Sequence, residues 1–266
     1  MAGLRPFRPM RQDVVLDRKR HLQWPACYNT RELGGYAVGP RVRTRWGALV
    51  RSDTLSRLTA QGRATLLNYG IRTVVDLRGP SELVREPHPF SESGPPDSTP
   101  QYVNVPLRPS KEGLDASRLD ELRRGPESYV LTVDTCQYAI AMVVQTFANA
   151  TRGGVLMHCQ AGSDRTGVII ALLLTHVGVS ETSVAQDFAF SARQLKPWFE
   201  QQRRQIRVPI QFGTPISTSP PSWILSLLAH IRTTYGDVTT YLRICGVSDA
   251  DLERVVTRLC ETQPTI

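Results

Sequence analysis

The sequence has little lysine and no long apolar run, and the second shortage argues against a membrane-spanning protein. Only three of its 32 basic residues are lysine. The longest apolar run, Val168–Leu174, is far shorter than the roughly 20 residues that span a bilayer, so no membrane span is expected. The basic N-terminal segment lacks the apolar stretch of a secretory signal. We therefore expect a cytoplasmic protein.

The cysteines are scattered rather than paired. Their number is odd, and no C-x-x-C pair is present that would indicate a zinc or redox centre. They are Cys27, Cys136, Cys159, Cys245 and Cys260. This pattern is typical of free thiols in a reducing compartment. Neither a metal nor another cofactor is expected from it.

The charge balance favours an anionic ligand. Basic residues exceed acidic ones by 32 to 24, which gives a formal net charge of +8. Such a positive field attracts a phosphate ester, an acidic lipid or a nucleic acid. The arginines are dispersed, however, and no surface of interleaved aromatic and basic residues is visible, so nucleic-acid binding is not expected.

The order of apolar segments predicts one α/β domain behind a loose basic arm. Residues 1–21 form the arm and residues 22–266 the domain. Thr59 and Gly70 are placed to begin and end a helix, and the β-branched strand 71–79 follows directly. A helix followed by a buried strand is typical of α/β layering.

A long segment, residues 79–126, interrupts this pattern. Six prolines crowd its first part, and its second part is polar. Loops of this length are uncommon in compact domains and are often lids, so a lid is one prediction and an ordinary surface insertion is the other. Residues 222–266 then carry helical patterns at Trp223–Tyr235 and Asp249–Leu259, which predict C-terminal helices packed on the same domain.

The stretch HCQAGSDRTG, residues 158–167, carries the strongest chemical signal. The spacing between Cys159 and Arg165 has little meaning by itself, because arginine is frequent in this chain. Its surroundings are informative, since an apolar strand precedes it and a long apolar helix follows it. This arrangement predicts a cradle for an oxyanion, built from backbone amides at a helix N-terminus. The predicted phosphate-binding residues are Gln160, Ala161, Gly162, Ser163, Asp164 and Arg165.

Each residue type in this stretch suits phosphoryl chemistry. Gly162 permits a turn that a β-carbon would hinder, and the Arg165 fork grips two phosphate oxygens. The positive field of the cradle stabilises a thiolate at Cys159, which would attack phosphorus and form a phosphocysteine. His158 is expected to orient the loop, and Thr166 to hydrogen-bond the sulfur. No metal is required for these steps.

The same stretch resembles the signature of cysteine-dependent tyrosine and dual-specificity phosphatases. Together with NTRELGGY, ALVRSDTLSRL and TVVDLR, in this order, it is similar to a bacterial tyrosine/lipid phosphatase family over about residues 22–260. The resemblance implies a central, mainly parallel sheet flanked by helices, with a lid over the active site. Members of the family often carry lysine where this chain has Ser163. That departure removes a charge associated with phosphoinositide substrates.

The general acid has more than one candidate. The resemblance favours Asp164, which lies inside the loop. Asp76 is the second candidate because it ends a buried strand, and the ends of parallel strands meet at one edge of a sheet. The alternative for Asp76 is a structural ion pair with Arg78 or Arg51. Further candidates in the predicted lid are Asp115 and Asp120. Four more residues either line the pocket or form structural ion pairs: Arg31, Arg51, Asp53 and Arg78.

Several functions remain compatible with these residues. The first is hydrolysis of a phosphorylated protein, and the second is hydrolysis of a small phosphorylated metabolite or nucleotide by the same mechanism. A non-catalytic module that binds phosphate is the third. An arsenate reductase or sulfurtransferase also uses a cysteine in an anion loop, but the Thr166-Gly167 ending of this loop favours a phosphatase.

Overall fold

The strands form two sheets in the part of the chain that the structure describes. This computed structural model describes residues 19–92, 94–95, 99–109, 125–151, 153–205 and 219–264. Its strands are β1 (Arg31–Glu32), β2 (Val42–Thr44), β3 (Leu49–Ser52), β4 (Ile71–Asp76), β5 (Gln101–Asn104), β6 (Gly154–His158) and β7 (Cys260–Thr262). The main sheet has the order β1-β3-β6-β4-β5, and β2 pairs with β7 in a separate ribbon.

Helices surround the main sheet. They are α1 (Ala60–Asn68), α2 (Pro80–Arg85), α3 (Glu127–Thr135), α4 (Gln137–Asn149), α5 (Asp164–His176), α6 (Glu181–Gln205), α7 (Pro221–Tyr235), α8 (Val238–Ile244) and α9 (Asp249–Leu259). Thr59 caps α1 by accepting a hydrogen bond from the Gly62 amide, and Gly70 ends that helix with a φ of 98°. Both positions agree with the sequence-based prediction for this helix.

The main sheet is parallel except at one edge. Strand β6 pairs in parallel with β3 and β4, and β4 pairs in parallel with β5, whereas β1 runs antiparallel to β3. The predicted mainly parallel α/β fold is thus confirmed. The register places Ser52, His158, Asp76 and Asn104 side by side at the last positions of their strands. Residues that follow these strands therefore meet at one edge, where ligands bind in open α/β sheets.

Alternating side chains divide the core between the two faces of the sheet. Val155 and Met157 of β6 point into a large cluster with α3 to α9, whereas Leu156 points into a smaller cluster with α1. This two-residue period is that of a strand buried on both faces. Helix α5 lies in the large cluster, where every side chain from Val168 to Leu174 is at most 1% exposed. Its all-round apolar character is explained by that burial.

The boundaries of the predicted segments need correction. Arg20, assigned to the flexible arm, is buried and donates from Nε to the Gly34 carbonyl at 2.8 Å. The 79–126 segment contains helix α2 and strand β5, so its first part is structured. Much of the predicted lid, residues 110–124, lies outside the described residues, and so does most of the predicted arm, residues 1–18.

The C-terminal segment is more than a set of two helices. Helix α8 lies between the two that were predicted, and β7 closes the segment by pairing antiparallel with β2. Among the described residues no single helix is long and apolar enough to cross a membrane. Helices α3 and α4 meet that criterion only together, with a bend of 79° between them.

Candidate active site

The loop between β6 and α5 places Cys159 at the ligand-binding edge of the sheet. Cys159 directly follows β6, and its thiol lies on the floor of the loop with 2% exposure. Gly162 has a φ of +66°, and a β-carbon on it would lie 2.2 Å from the Ser52 carbonyl oxygen. Any other residue would clash with the backbone of β3 in addition to adopting a left-handed conformation. The prediction that this turn requires glycine is explained by both features.

Every carbonyl of the loop accepts a hydrogen bond from the surrounding protein. The donors and distances are Leu77 N to His158 O (2.9 Å), His158 Nδ1 to Cys159 O (3.1 Å), Thr54 N to Gln160 O (3.1 Å), Asn29 Nδ2 to Ala161 O (2.9 Å), Arg51 Nη2 to Gly162 O (2.6 Å) and Arg51 Nη2 to Ser163 O (3.2 Å). The loop is therefore held from outside through its acceptors.

The loop amides stand in contrast to its carbonyls. No described residue accepts a hydrogen bond from the backbone N–H groups of residues 160–165. A row of free amides at the start of helix α5 is an anion-binding arrangement, because the donors and the helix dipole favour negative charge at the same place. The six residues predicted to bind phosphate form this row.

Arg165 lies beside the cradle and is oriented by Glu82 of α2. Its Nη1 and Nη2 atoms each donate to one Glu82 oxygen at 2.7 Å, and Nη1 also donates to the Leu77 carbonyl at 3.3 Å. A guanidinium has five N–H groups. Three are used by these described partners, which leaves two for an anion. Arg165 is thus held in a fixed orientation with a free edge.

Glu82 was not recognised as a site residue from the sequence. Burial alone would raise its pKa, but the hydrogen bonds and charge of Arg165 outweigh burial and hold the pKa at about 2. Its amide partner is Gly79 N at 2.9 Å, as expected at the third position of a helix. The sequence Gly79-Pro80-Ser81-Glu82 carries this helix-start pattern, but it lies in a proline-rich segment that was read as loop.

Asp76 is a buried carboxylate that forms an ion pair with Arg78. It is fully buried, and its oxygens accept from the Arg78 amide and guanidinium and from the Tyr102 hydroxyl at 2.8–3.1 Å. Burial would raise its pKa, but the hydrogen bonds and charge of Arg78 hold the pKa below its usual range. These contacts favour the alternative interpretation of Asp76, a structural ion pair with Arg78, over the role of general acid.

Two histidines stack beside Asp76 under the loop. His158 Nε2 lies 3.1 Å from His88 Nε2, and burial lowers the pKa of both rings, that of His88 to about 2. Both are therefore neutral, with one nitrogen donating and the other accepting. Asp76 and the two rings bring metal-ligand atoms within 4.8 Å of one another. Because Arg78 already neutralises Asp76, we interpret the cluster as a hydrogen-bond network that orients His158.

Asp164 begins helix α5 and is exposed at the edge of the cradle. Its Oδ1 atom accepts a short hydrogen bond from the hydroxyl of Tyr129, which is 3% exposed and packs edge-on against Phe188 and Trp223. Burial and the neighbouring Asp164 raise the pKa of Tyr129, so its hydroxyl keeps its proton and donates it. Tyr129 was not singled out from the sequence, and its sequence context carries no signal for this contact.

One predicted contact in the loop is not found, and one contact there was not predicted. The Thr166 hydroxyl is buried and has no hydrogen-bonding partner among the described residues, so it does not contact the Cys159 sulfur as expected. The Ser163 hydroxyl lies 2.9 Å from that of Ser219, just before α7, and Ser163 is 6% exposed. The residue at this position is therefore directed into the protein, toward α7.

The four residues left open as pocket lining or structural ion pairs all form ion pairs. Arg31 and Arg51 both contact Asp187 of α6, Asp53 contacts Arg57, and Arg78 contacts Asp76. Asp187 was missed, although an acidic residue on the apolar face of α6 that carries Val184, Phe188 and Leu195 is a signal of a buried partner. Asp115 and Asp120 lie outside the described residues.

Comparison with known proteins agrees with this geometry. Residues 22–261 match the model of the tyrosine phosphatase family. The chain belongs to that family. It is 29% identical to the triple specificity protein phosphatase PtpB of Mycobacterium tuberculosis, over 87% of this chain and 96% of that protein. It is also 28% identical to a tyrosine-protein phosphatase of Nostoc commune, over 80% of this chain and 74% of that protein.

Among solved structures, the chain is similar to TpbA of P. aeruginosa, with 18% identity, a TM-score of 0.40 and coverage of 80% of this chain and 97% of that one. The family assignment confirms the predicted resemblance and the predicted activity. The chain is a hydrolase of phosphate monoesters, and enzymes of this family work through a phosphocysteine intermediate.

Proposed function

We propose that the chain is a protein phosphatase in which Cys159 is the nucleophile, Arg165 binds the phosphoryl group and Asp164 is the general acid. The observation that carries this proposal is the division of the loop: its carbonyls are all engaged, no described residue accepts a hydrogen bond from its amides, and a cysteine lies on its floor. Such a cradle stabilises the equatorial oxygens of a transferring phosphoryl group, as oxyanion holes do in acyl transfer.

The reaction then has two balanced steps. The Cys159 thiolate attacks phosphorus, an S–P bond forms, the P–O ester bond breaks, and the leaving oxygen takes a proton from Asp164. Water next attacks the phosphocysteine and passes a proton to the Asp164 carboxylate. The S–P bond breaks, inorganic phosphate leaves, and the thiolate and the acid are restored.

Asp164 is assigned the acid role on position and surroundings. It is exposed at the start of α5, beside Arg165, whereas Asp76 is buried and fully hydrogen-bonded. The Tyr129 hydroxyl occupies one of its oxygens and leaves the other free for proton transfer. His158 contributes by orienting the Cys159 carbonyl.

Phosphotyrosine on a protein is the proposed substrate class. The relatives named above as a tyrosine-protein phosphatase and a triple specificity protein phosphatase support it. Five free thiols, of which three are buried, are consistent with a cytoplasmic location, which we also propose. A panel of phosphotyrosine peptides, phosphoinositides, nucleoside monophosphates and sugar phosphates tests the substrate class. Strong preference for one small metabolite would replace the protein substrate and leave the mechanism in place.

Replacement of the nucleophile tests the mechanism. We expect Cys159→Ser to lower kcat for an aryl phosphate by about 10⁴-fold or more, because a hydroxyl does not ionise at neutral pH. Cys260→Ser, at a half-buried thiol in β7, is the matched control and should retain wild-type activity. Vanadate inhibition of the wild type and mass detection of a phosphorylated Cys159 complete the assay. Undiminished turnover by Cys159→Ser would refute the mechanism, and phosphopeptide binding without hydrolysis by the wild type would indicate a silent binding module.

A further inference from the structure

We propose that Arg51 is a positioning residue for the reaction, and that it acts together with Arg31 and Asp187. In this proposal the three side chains turn the loop amides toward the phosphate and stabilise the Cys159 thiolate from behind. The inference deepens the proposed function, since it rests on Cys159 as the nucleophile. The three residues are named below as the buried triad.

The buried triad lies beneath the loop and is sealed from solvent. Arg31 Nε contacts Asp187 Oδ1 at 2.8 Å, and Arg51 Nη1 contacts Asp187 Oδ2 at 2.5 Å. The exposed fractions of the three side chains are 2%, 0% and 2%. A salt bridge between solvent-exposed residues would contribute little, but charges buried this completely are screened weakly.

The charges of the buried triad do not cancel. Two guanidinium groups share one carboxylate, which leaves one excess positive charge. Burial and the nearby Arg31 lower the pKa of Arg51 to about 10, and burial opposes but does not overcome the arginines that hold the pKa of Asp187 at about 2. Arg51 and Asp187 therefore both stay charged at neutral pH. Arg51 Nε has no hydrogen-bonding partner among the described residues. The buried triad therefore has an excess of hydrogen-bond donors as well as an excess of positive charge.

The buried triad holds three successive carbonyls of the loop. Arg51 donates to Gly162 O at 2.6 Å and to Ser163 O at 3.2 Å. Arg31 donates to Asn29 Oδ1 at 2.5 Å, and the Asn29 amide donates to Ala161 O at 2.9 Å. In a planar trans peptide the carbonyl and the following N–H point in opposite directions. Carbonyls fixed toward the triad therefore turn the amides of residues 162–164 away from it, toward the anion.

Cys159 faces charged groups from several elements. Arg51 of β3 and Arg165 of α5 interact electrostatically with Cys159, and so does the uncharged Tyr129 of α3. Arg165 is bound to Glu82, so its charge is largely compensated. The excess charge of the buried triad is not compensated, and it acts across the short distance between β3 and the neighbouring β6.

Replacement of the whole triad by apolar residues separates function from stability. Buried ion clusters can often be exchanged for apolar residues of similar volume without loss of stability, so the variant Arg31→Met/Arg51→Met/Asp187→Leu should fold. We expect its rate of Cys159 alkylation by iodoacetamide at about pH 6 to fall by about 10–100-fold, because the thiolate loses a buried positive charge. We expect kcat/KM for an aryl phosphate to fall by about 10²–10³-fold, as when an oxyanion donor is lost.

A milder variant separates charge from geometry. Arg51→Lys keeps the charge, so alkylation should stay within about threefold of wild type, whereas kcat should fall about tenfold because one ammonium cannot replace the fork. Tyr69→Phe is the matched control. It removes a 2.6 Å hydrogen bond to the buried carboxylate of Glu32, next to Arg31 on β1, without contact to the loop, and should leave both rates unchanged.

The outcomes are distinct for the two proposals. Alkylation is followed by peptide mass and needs no turnover. If the folded triple variant keeps wild-type kcat/KM, the positioning role is refuted while Cys159-dependent hydrolysis stands. If the triple variant does not fold, the same conclusion follows from a folded Arg51→Lys variant with wild-type kcat/KM. If wild-type hydrolysis does not depend on Cys159 but alkylation still slows in the triple variant, the proposed mechanism fails and the effect of the triad on the thiolate remains.

Discussion

Arg51 on β3 and Arg78 just after β4 are both completely buried arginines, yet their charges are balanced differently. Arg78 faces one carboxylate, Asp76, and its remaining donors bond to Thr54, Ser56 and the Glu86 carbonyl. Arg51 shares its carboxylate with a second arginine and donates from Nη2 to two carbonyls of the loop. Both are 0% exposed, so burial does not distinguish them.

This difference distinguishes a buried ion pair that holds the fold from one that supports the reaction. A balanced pair adds no net charge and holds its own neighbourhood together, as Asp76 and Arg78 do for the ends of β4 and β5. An unbalanced cluster creates a positive electrostatic field, which stabilises a thiolate and a phosphate nearby. The two cases differ in the net charge of the cluster and in the acceptors that the arginine donors reach.

The largest expected effect is the loss of stability when the balanced pair of Asp76 and Arg78 is broken. Arg78→Met leaves the buried Asp76 carboxylate without its partner and should lower the free energy of unfolding by about 3–5 kcal/mol. The double variant Asp76→Leu/Arg78→Met should recover most of that loss, because neither charge remains. Urea unfolding measures both effects. The rate of Cys159 alkylation in the folded double variant should stay within about threefold of wild type. A drop as large as that of the triad variant would show that the balanced pair and the buried triad affect the thiolate equally.

Part of this contrast was visible in the sequence. Apolar and β-branched runs, together with helix-start and helix-end signals, predicted β4, β6, α1 and α5, because these features are local. The ends of parallel strands also predicted that Asp76 and Cys159 would lie at one edge. The partners of these residues could not be predicted, since Arg51 and Asp187 are 136 positions apart and Arg165 and Glu82 are 83 apart. Such contacts depend on packing that one sequence does not encode locally.

The loop between β6 and α5 also could be predicted only in part from the sequence. Gly162 and the order of strand, loop and helix were enough to predict an anion cradle. The directions of the Ser163 and Thr166 side chains could not be predicted, because they depend on the position of α7 and on the packing of the surrounding core. The Thr166 contact with sulfur was accordingly predicted and not found.

The second expected effect concerns the compensated charge of Arg165. Glu82→Gln replaces a carboxylate that receives two hydrogen bonds from the Arg165 guanidinium, so Arg165 becomes less well oriented, and kcat/KM should fall by about 10–100-fold. Arg108→Gln is the control, because Arg108 reaches the same carboxylate at 2.9 Å from an exposed position. It should change kcat/KM by less than about threefold. Equal effects of the two substitutions would show that orientation of Arg165 by Glu82 is unimportant.

The third effect is a loss of stability in acid. The pKa of Glu82 is lowered from 4.5 to about 2 in the folded protein, so its pairing with Arg165 stabilises the fold fully above about pH 4.5 and less as the pH falls toward 2. The unfolding free energy of wild type minus that of Glu82→Gln should be about 1–2 kcal/mol at neutral pH and should shrink through this window. Urea titrations at several pH values measure it. A difference that grows in acid would have the wrong sign.

The smallest effect concerns the hydroxyl of Tyr129, which donates to Asp164 at the start of α5. Tyr129→Phe removes this orientation without removing the acid. The loss should therefore be greatest where proton donation is needed most: about 3–10-fold in kcat/KM for aryl phosphates with poor leaving groups and less than twofold for a nitrophenyl ester. Tyr241→Phe, which removes a 2.6 Å hydrogen bond to the Val133 carbonyl in the core, is the control and should leave the leaving-group dependence unchanged. A uniform loss across the series would mean that Tyr129 supports the fold of α3 against α5 and does not act through Asp164.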